Sequence, residues 1–315
     1  MRGGVLLALV LLVTQAVSPA MEIQPIERIY GGDEISLSRN GEYLVYSAFV
    51  LNARGAQLKL VHVPNLQTAD AALKGYGLKV SPDGTHLYAN YSYGPKEPRP
   101  PSVVIGKHYL RRMPRTGGPI EILAADIAGA VSISPDSKWI AFLRRPAGET
   151  HLFVADMSRD HEAREVHSWP AGSSIGGMAW SPDGTEIALG SWEPGKNKLV
   201  SVSVRSGETK DLLALDPGTN EVAFAWLPEG RMVVPRRSNN ISQLWFYKLR
   251  SEEKTQLTNL DAGLLGSRFA ASPDGSTIAA EAFVAPKPPT IWSRLMELAN
   301  WTAYGNIDIL LIRLR

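Results

Sequence analysis

Gly172-Ser173-Ser174-Ile175-Gly176 has the spacing of a hydrolase elbow, in which a serine stands exposed on a strained strand-to-helix turn and attacks an acyl carbon. The residues that follow, Gly177-Met178-Ala179-Trp180-Ser181-Pro182-Asp183-Gly184, read as a strand and a tight hairpin, with no helix behind the serine. Ser174 is therefore assigned to a Gly- and Ser-rich linker, and no catalytic residue is expected. The histidines are His62, His86, His108, His151, His161 and His167. Only His161 and His167 are near neighbours, and their separation of six does not match the i,i+4 pair of a helical metal site. Cysteine is absent, which removes thiolate metal sites, disulfides and a cysteine nucleophile. Glycine-rich phosphate loops are absent too. The expectation is no metal and no cofactor.

The acids that look most like ligands, Asp83, Asp136, Asp183 and Asp274, all occupy the third place of one recurring tetrapeptide. Ser-Pro-Asp-Gly occurs at 81, 181 and 272, Ser-Pro-Asp-Ser at 134, and degenerate copies at 38 (Ser-Arg-Asn-Gly) and 227 (Leu-Pro-Glu-Gly). Proline presets φ, aspartate bonds its own backbone, and glycine takes a positive φ, so the tetrapeptide is a turn and its aspartate a turn residue. A short apolar strand precedes each turn and another follows. Two further strands, the last more polar, complete a unit of about 45 residues, the signature of a propeller blade. The repeat predicts an all-β, six-bladed β-propeller of four-stranded antiparallel blades over residues 21–315. The sixth blade has only three strands at the C-terminal end. Ile23–Ile29 resembles the fourth-strand segment Gly118–Leu123, and is expected to close the ring as that blade's outer strand, removing an open edge.

These hairpins, the Gly117-Gly118 turn after Tyr109–Pro114, and Gln243-Leu244-Trp245 leading to Thr255-Gln256-Leu257-Thr258 resemble the propeller repeats of the TolB family. The likeness runs over nearly all of residues 22–315, without the α/β domain that precedes the propeller in TolB. The resemblance implies a periplasmic or secreted propeller that serves as a binding platform.

The rest of the chain agrees. Arg2, the apolar run Val5–Val13 and Ser18-Pro19-Ala20 describe a signal peptide over residues 1–20, too short to span a bilayer comfortably. Of 315 residues, 44% are hydrophobic and 20% charged, enough for a sizeable core. Lys and Arg number 33 against 31 Asp and Glu, which argues against nucleic acid as a partner.

Loops joining second to third strands must all leave one face of the ring, opposite the Ser-Pro-Asp-Gly turns. Two are long and proline-rich, 92–102 and 285–306, and the second contains an amphipathic helix-like run over 290–299. Basic residues outnumber acidic ones on these loops. The expected binding set is Arg54, Tyr93, Arg99, Arg144, Arg145, Trp192, Arg236, Arg237, Trp292, Arg294 and Trp301. Aromatics would act as interface anchors and arginines as carboxylate clamps for an acidic envelope or secreted protein. The alternative is a small hydrolase or lyase that holds a sugar or lactone in the central channel.

Overall fold

The computed structural model describes residues 22–29, 35–49, 56–71, 73–158, 162–192, 197–215, 223–238, 241–251, 253–260, 263–283 and 307–314. The expected signal peptide, His161, Arg54, Trp292, Arg294, Trp301 and the 290–299 segment lie outside the described residues.

Six four-stranded antiparallel sheets form the ring. Blade one comprises Ile35–Leu37, Tyr43–Phe49, Ala56–His62 and Gln67–Asp70; blade two Tyr76–Val80, His86–Ser92, His108–Pro114 and Glu121–Ala125. Blade three comprises Val131–Ile133, Trp139–Arg144, Thr150–Asp156 and Ala163–Trp169; blade four Ser174–Trp180, Glu186–Trp192, Lys198–Ser203 and Thr209–Ala214. Blade five comprises Ala225–Leu227, Arg231–Ser238, Ile241–Lys248 and Lys254–Gln256. In blade six, Leu264–Ala271, Thr277–Phe283 and Ile307–Arg313 are joined by Glu22–Ile29, which lies outermost as its sequence suggests. Ile23 pairs with Ile312 and Ile29 with Ile307, and the register slips between Pro25 and Glu27. A proline lacks the N–H a central strand needs, so an edge strand is where one is tolerated.

Burial follows strand order within a blade. The second strands are nearly all buried, as in Glu186–Trp192, whereas the outer strand Gln67–Asp70 is exposed throughout. Apolar clusters fill the spaces between neighbouring blades. Ala141, Leu143, Leu152 and Val154 of blade three meet Ile175, Trp180, Ile187 and Leu189 of blade four. The Trp180 indole N–H bonds the Ser132 carbonyl at 3.1 Å, so this tryptophan ties two blades together.

The repeated turns are nearly identical. In the second blade Ser81 Oγ donates to Asp83 Oδ1 (2.5 Å), which also accepts from Thr85 N–H (3.0 Å), while His86 N–H bonds Ser81 Oγ (2.9 Å). The same set recurs at Ser181, where Asp183 Oδ1 accepts from Ser181 and Thr185. In the degenerate first turn Asn40 Oδ1 takes the acceptor role, with Ser38 Oγ at 3.2 Å. Turns also touch their neighbours: Arg39 N–H bonds Pro82 O at 2.7 Å, and Asp274 N–H bonds Arg39 O at 3.2 Å. The aspartates thus do turn chemistry. Burial opposes ionisation of Asp83 and Asp183, but hydrogen bonds from the serine and threonine partners outweigh it and hold both carboxyls below their ordinary value.

Two details differ from the sequence reading. Ser174 is the first residue of a strand, opposite Trp192, rather than part of a linker. The outer strand of blade two spans Glu121–Ala125 rather than Gly118–Leu123; Gly117 and Gly118 both take positive φ and belong to the turn.

Candidate binding face

Each second strand runs away from its hairpin turn, so the ends of all second strands gather at the opposite face. That brings Tyr93, Arg99, Arg144, Arg145, Trp192, Arg236 and Arg237 to one side of the ring. Their local settings differ widely. Arg144 lies with its guanidinium carbon 4.6 Å from the Phe153 ring and donates from Nε to Ala125 O (3.1 Å). Arg145 is exposed, but donates from Nη2 to Ile175 O (2.6 Å) in the next blade. Arg236 sits 5.2 Å above the Trp245 ring. The Trp192 ring covers Gly176 and Gly190, where an added Cβ would come within 3.1 and 2.9 Å of it. Arg144 and Arg145 thus tie blade three to its neighbours, Trp192 packs on the cluster shared by blades four and five, and Arg236 stacks within blade five. Arg99 and Arg237 are exposed, and their guanidinium groups make no hydrogen bond or ion pair among the described residues.

Tyr93 does not serve as an exposed anchor. Only 8% of it is accessible, and it packs edge-on between Tyr91 (centroids 4.9 Å apart) and Tyr109 (5.9 Å), with Val103 alongside. The proline-rich loop folds back on its own aromatic residues, which form a small apolar cluster with Val103. Sequence patterning cannot reveal such a return, since the contact partners lie on different strands.

The whole connection between Ser92 and His108 is tied down in this way. Tyr91 Oη donates to Glu97 Oε1 (2.7 Å), and Gly94 N–H donates to Glu97 Oε2 (2.9 Å). The Tyr91 hydrogen bond, then that of Gly94, lowers the Glu97 carboxyl below its ordinary pKa. Val104 N–H bonds Tyr109 Oη at 2.7 Å. Lys107 pairs with Asp126 at 2.5 Å. Beneath the loop, Arg111 is 5% exposed; its guanidinium stacks 3.6 Å over Tyr91 and donates to Lys74 O (2.5 Å), locking the loop to the preceding linker. What this framework pushes into solvent is apolar. Val104 is 54% exposed and Ile105 46%, and His108, three residues on, holds Tyr76, itself 47% exposed, through a 2.5 Å hydrogen bond. Val104, Ile105, Tyr76 and Arg111 escaped the sequence reading. The Val104-Ile105 pair, outside every strand yet strongly apolar, was the signal available.

At the loop-face end of blade three, across the ladder from Arg144, His151 lies between two carboxylates, with Nδ1 3.1 Å from Glu165 and Nε2 3.1 Å from Glu149. The Glu165 hydrogen bond, ahead of that from Glu149 and against some burial, raises the imidazole pKa. Both nitrogens point at separate acids, an ion-pair arrangement rather than a metal cradle. Among the described residues no cluster of three or more His, Asp or Glu could hold a metal ion. On the ring axis lies a cavity of about 190 Å³ lined by all six inner strands and by Pro82, Pro135, Pro182 and Pro273 of the turns. No helix of the described residues is long and apolar enough to cross a membrane.

No protein-family profile matches the chain, and no curated protein matches it by sequence. Solved structures do match. TolB from Acinetobacter baumannii superposes with a TM-score of 0.59 at 13% identity, over 88% of this chain and 65% of that one. A provisionally assigned TolB from Agrobacterium tumefaciens gives 0.57 at 17% identity, over 81% of this chain and 94% of that one. Oligogalacturonate lyase from Vibrio parahaemolyticus gives 0.52 at 15% identity, over 89% and 76%. This chain thus spans just under two thirds of the Acinetobacter protein. At such identities the likeness concerns fold, and the chain is a TolB-like six-bladed β-propeller.

Proposed function

We propose that the protein is an exported, non-catalytic propeller that binds an envelope or secreted protein through the face opposite the repeated turns. The observation that carries this reading is the blade-two loop. A buried arginine, three tyrosines and Glu97 tie down the connection, on which Val104 and Ile105 stand exposed to water. Exposed apolar side chains on a rigid frame cost little conformational entropy to dock, which is the property of an interface anchor. Arg99 and Arg237 supply charge at the rim for acidic groups of the partner. TolB-like folds favour the export reading, and the first twenty residues have the form of a cleavable leader.

The test immobilises the chain from Met21 and presents envelope extract, identifying retained proteins by mass spectrometry. A partner retained by wild type should be lost by a Val104→Asp/Ile105→Asp variant and kept by Asp83→Asn on the opposite face. Loss by the turn variant with retention by the loop variant would assign the wrong face. Turnover of oligogalacturonate by the purified chain would instead favour the lyase alternative suggested by fold.

A further inference from the structure

One residue breaks the repeat where the six blades meet. The inner-strand position two residues before each hairpin carries Ser36, Lys79, Ser132, Ala179, Ala225 and Ala270. The ladder confirms their equivalence: they pair with Val45, Tyr88, Ala141, Ala188, Val233 and Ala279 of the adjoining second strands. All six line the axial cavity. Five are serine or alanine, small enough to leave the axis open, and the sixth is a lysine.

Lys79 is the single charged side chain among the cavity's described lining residues. Leu78 and Val80 on either side are buried in the packing against blade one, so strand alternation turns Lys79 to the other face of its sheet. It is half-buried, and no hydrogen bond or ion pair engages its ammonium among the described residues. Its cross-strand partner Tyr88 offers no compensating charge, since burial pushes that phenol up to about 12. The walls around it include Val80, Ile133, Met178, Trp180, Phe224 and Phe269. A cation between low-dielectric walls focuses its field on the space before it. Inner strands pair on one edge only, so their other edges add backbone dipoles around the axis.

We propose that the channel binds a small organic monocarboxylate, with the carboxylate on Lys79 and the hydrocarbon part against the apolar inner-strand residues. A single cation matches a single negative charge; a phosphate dianion would leave a charge unpaired against apolar walls. The volume sets the size. A cavity of about 150 Å³ accommodates benzene, so about 190 Å³ holds a free acid of a few carbons.

The test is calorimetric titration of the chain from Met21 with butyrate and, separately, with butyramide, at constant ionic strength in chloride. Butyrate should bind saturably with one site per chain, and butyramide, of the same shape without the charge, at least tenfold more weakly. Lys79→Ala places in blade two the residue that three other blades already carry, so it should fold, as checked by circular dichroism and melting, and should weaken butyrate at least tenfold. Lys138→Ala, at a lysine that does not line the cavity, and Val104→Asp/Ile105→Asp should bind butyrate as wild type does, which separates this site from the loop face. The proposal is overturned by absence of saturable butyrate binding to wild type, by equal binding of the amide, or by unchanged affinity in a folded Lys79→Ala protein.

Discussion

The two faces of the ring are built on opposite principles. On the turn face, the same serine, proline and aspartate recur in four of the six blades, and in each the aspartate accepts from the serine two residues before it, with Asn40 in that role in blade one. On the loop face the two connections that fall wholly among the described residues differ: blade two carries a packed aromatic loop, blade three a single turn of 3-10 helix at Pro146–Gly148. A repeated solution marks a demand every blade shares, which is to form a tight hairpin and meet its neighbour. Residues that depart from the repeat are freed from that demand, and it is among them that binding chemistry is to be sought. Lys79 extends the rule inward, as the one long side chain at a position otherwise kept small.

Three perturbations separate the shared framework from the residues that depart from it. Removing residues 21–30 deletes the outer strand of blade six and exposes the edge of Ile307–Arg313. The melting temperature should fall by about 10 °C or more with aggregation, the largest effect expected. An unchanged scan would mean that the ring does not depend on that strand. Next, Tyr93→Ala should cost about 3 kcal/mol, in the range for buried aromatics, whereas Arg99→Ala in the same loop should stay within about 0.5 kcal/mol. Chemical denaturation of the two variants compares a packed with a free residue only a few positions apart. Equal losses would deny the loop its aromatic core.

The smallest effect concerns the turn acids. Asp183→Ala removes an acceptor used by Ser181 and Thr185 and should cost about 1 kcal/mol. Asp183→Asn should cost less, since Asn40 already fills that role in blade one. The folded carboxyls of Asp83 and Asp183 lie below their ordinary 3.8. Their contribution is therefore complete above that value and lost as pH falls through the folded pKa. A double Asp83→Asn/Asp183→Asn protein should lose less stability than wild type between pH 4 and pH 2 in urea titrations. Parallel curves would show that these acids do not carry the acid sensitivity.

Much of this molecule can be read without coordinates. The six hairpins, their spacing and the four-strand blade follow from turn chemistry, a local property: proline, aspartate and glycine act on residues within five of themselves. Ring closure by Glu22–Ile29 was legible for a related reason, because the last blade counts one strand short. Ser174 shows where local reading stops: a Gly-Ser run looks like a linker, yet pairing with Trp192 makes its end a strand. The loop face was legible as a set of strand ends, whereas the local setting of each of its side chains was not. Arg144, Arg145 and Arg236 appear in the sequence as free cations, but carbonyls and rings from other strands engage them.

The sequence by itself determined the repeat, and with it the number of blades, the position of every tight turn and the side of the ring from which each loop leaves. Those follow from φ preferences and from alternation along a strand. Only the tertiary structure decided which side chains of a loop are buried, that Tyr93 turns inward while Val104 and Ile105 turn out, and that six residues scattered from 36 to 270 face a single axis. Contacts between blades depend on distances across the ring, and no local rule of chain conformation encodes them.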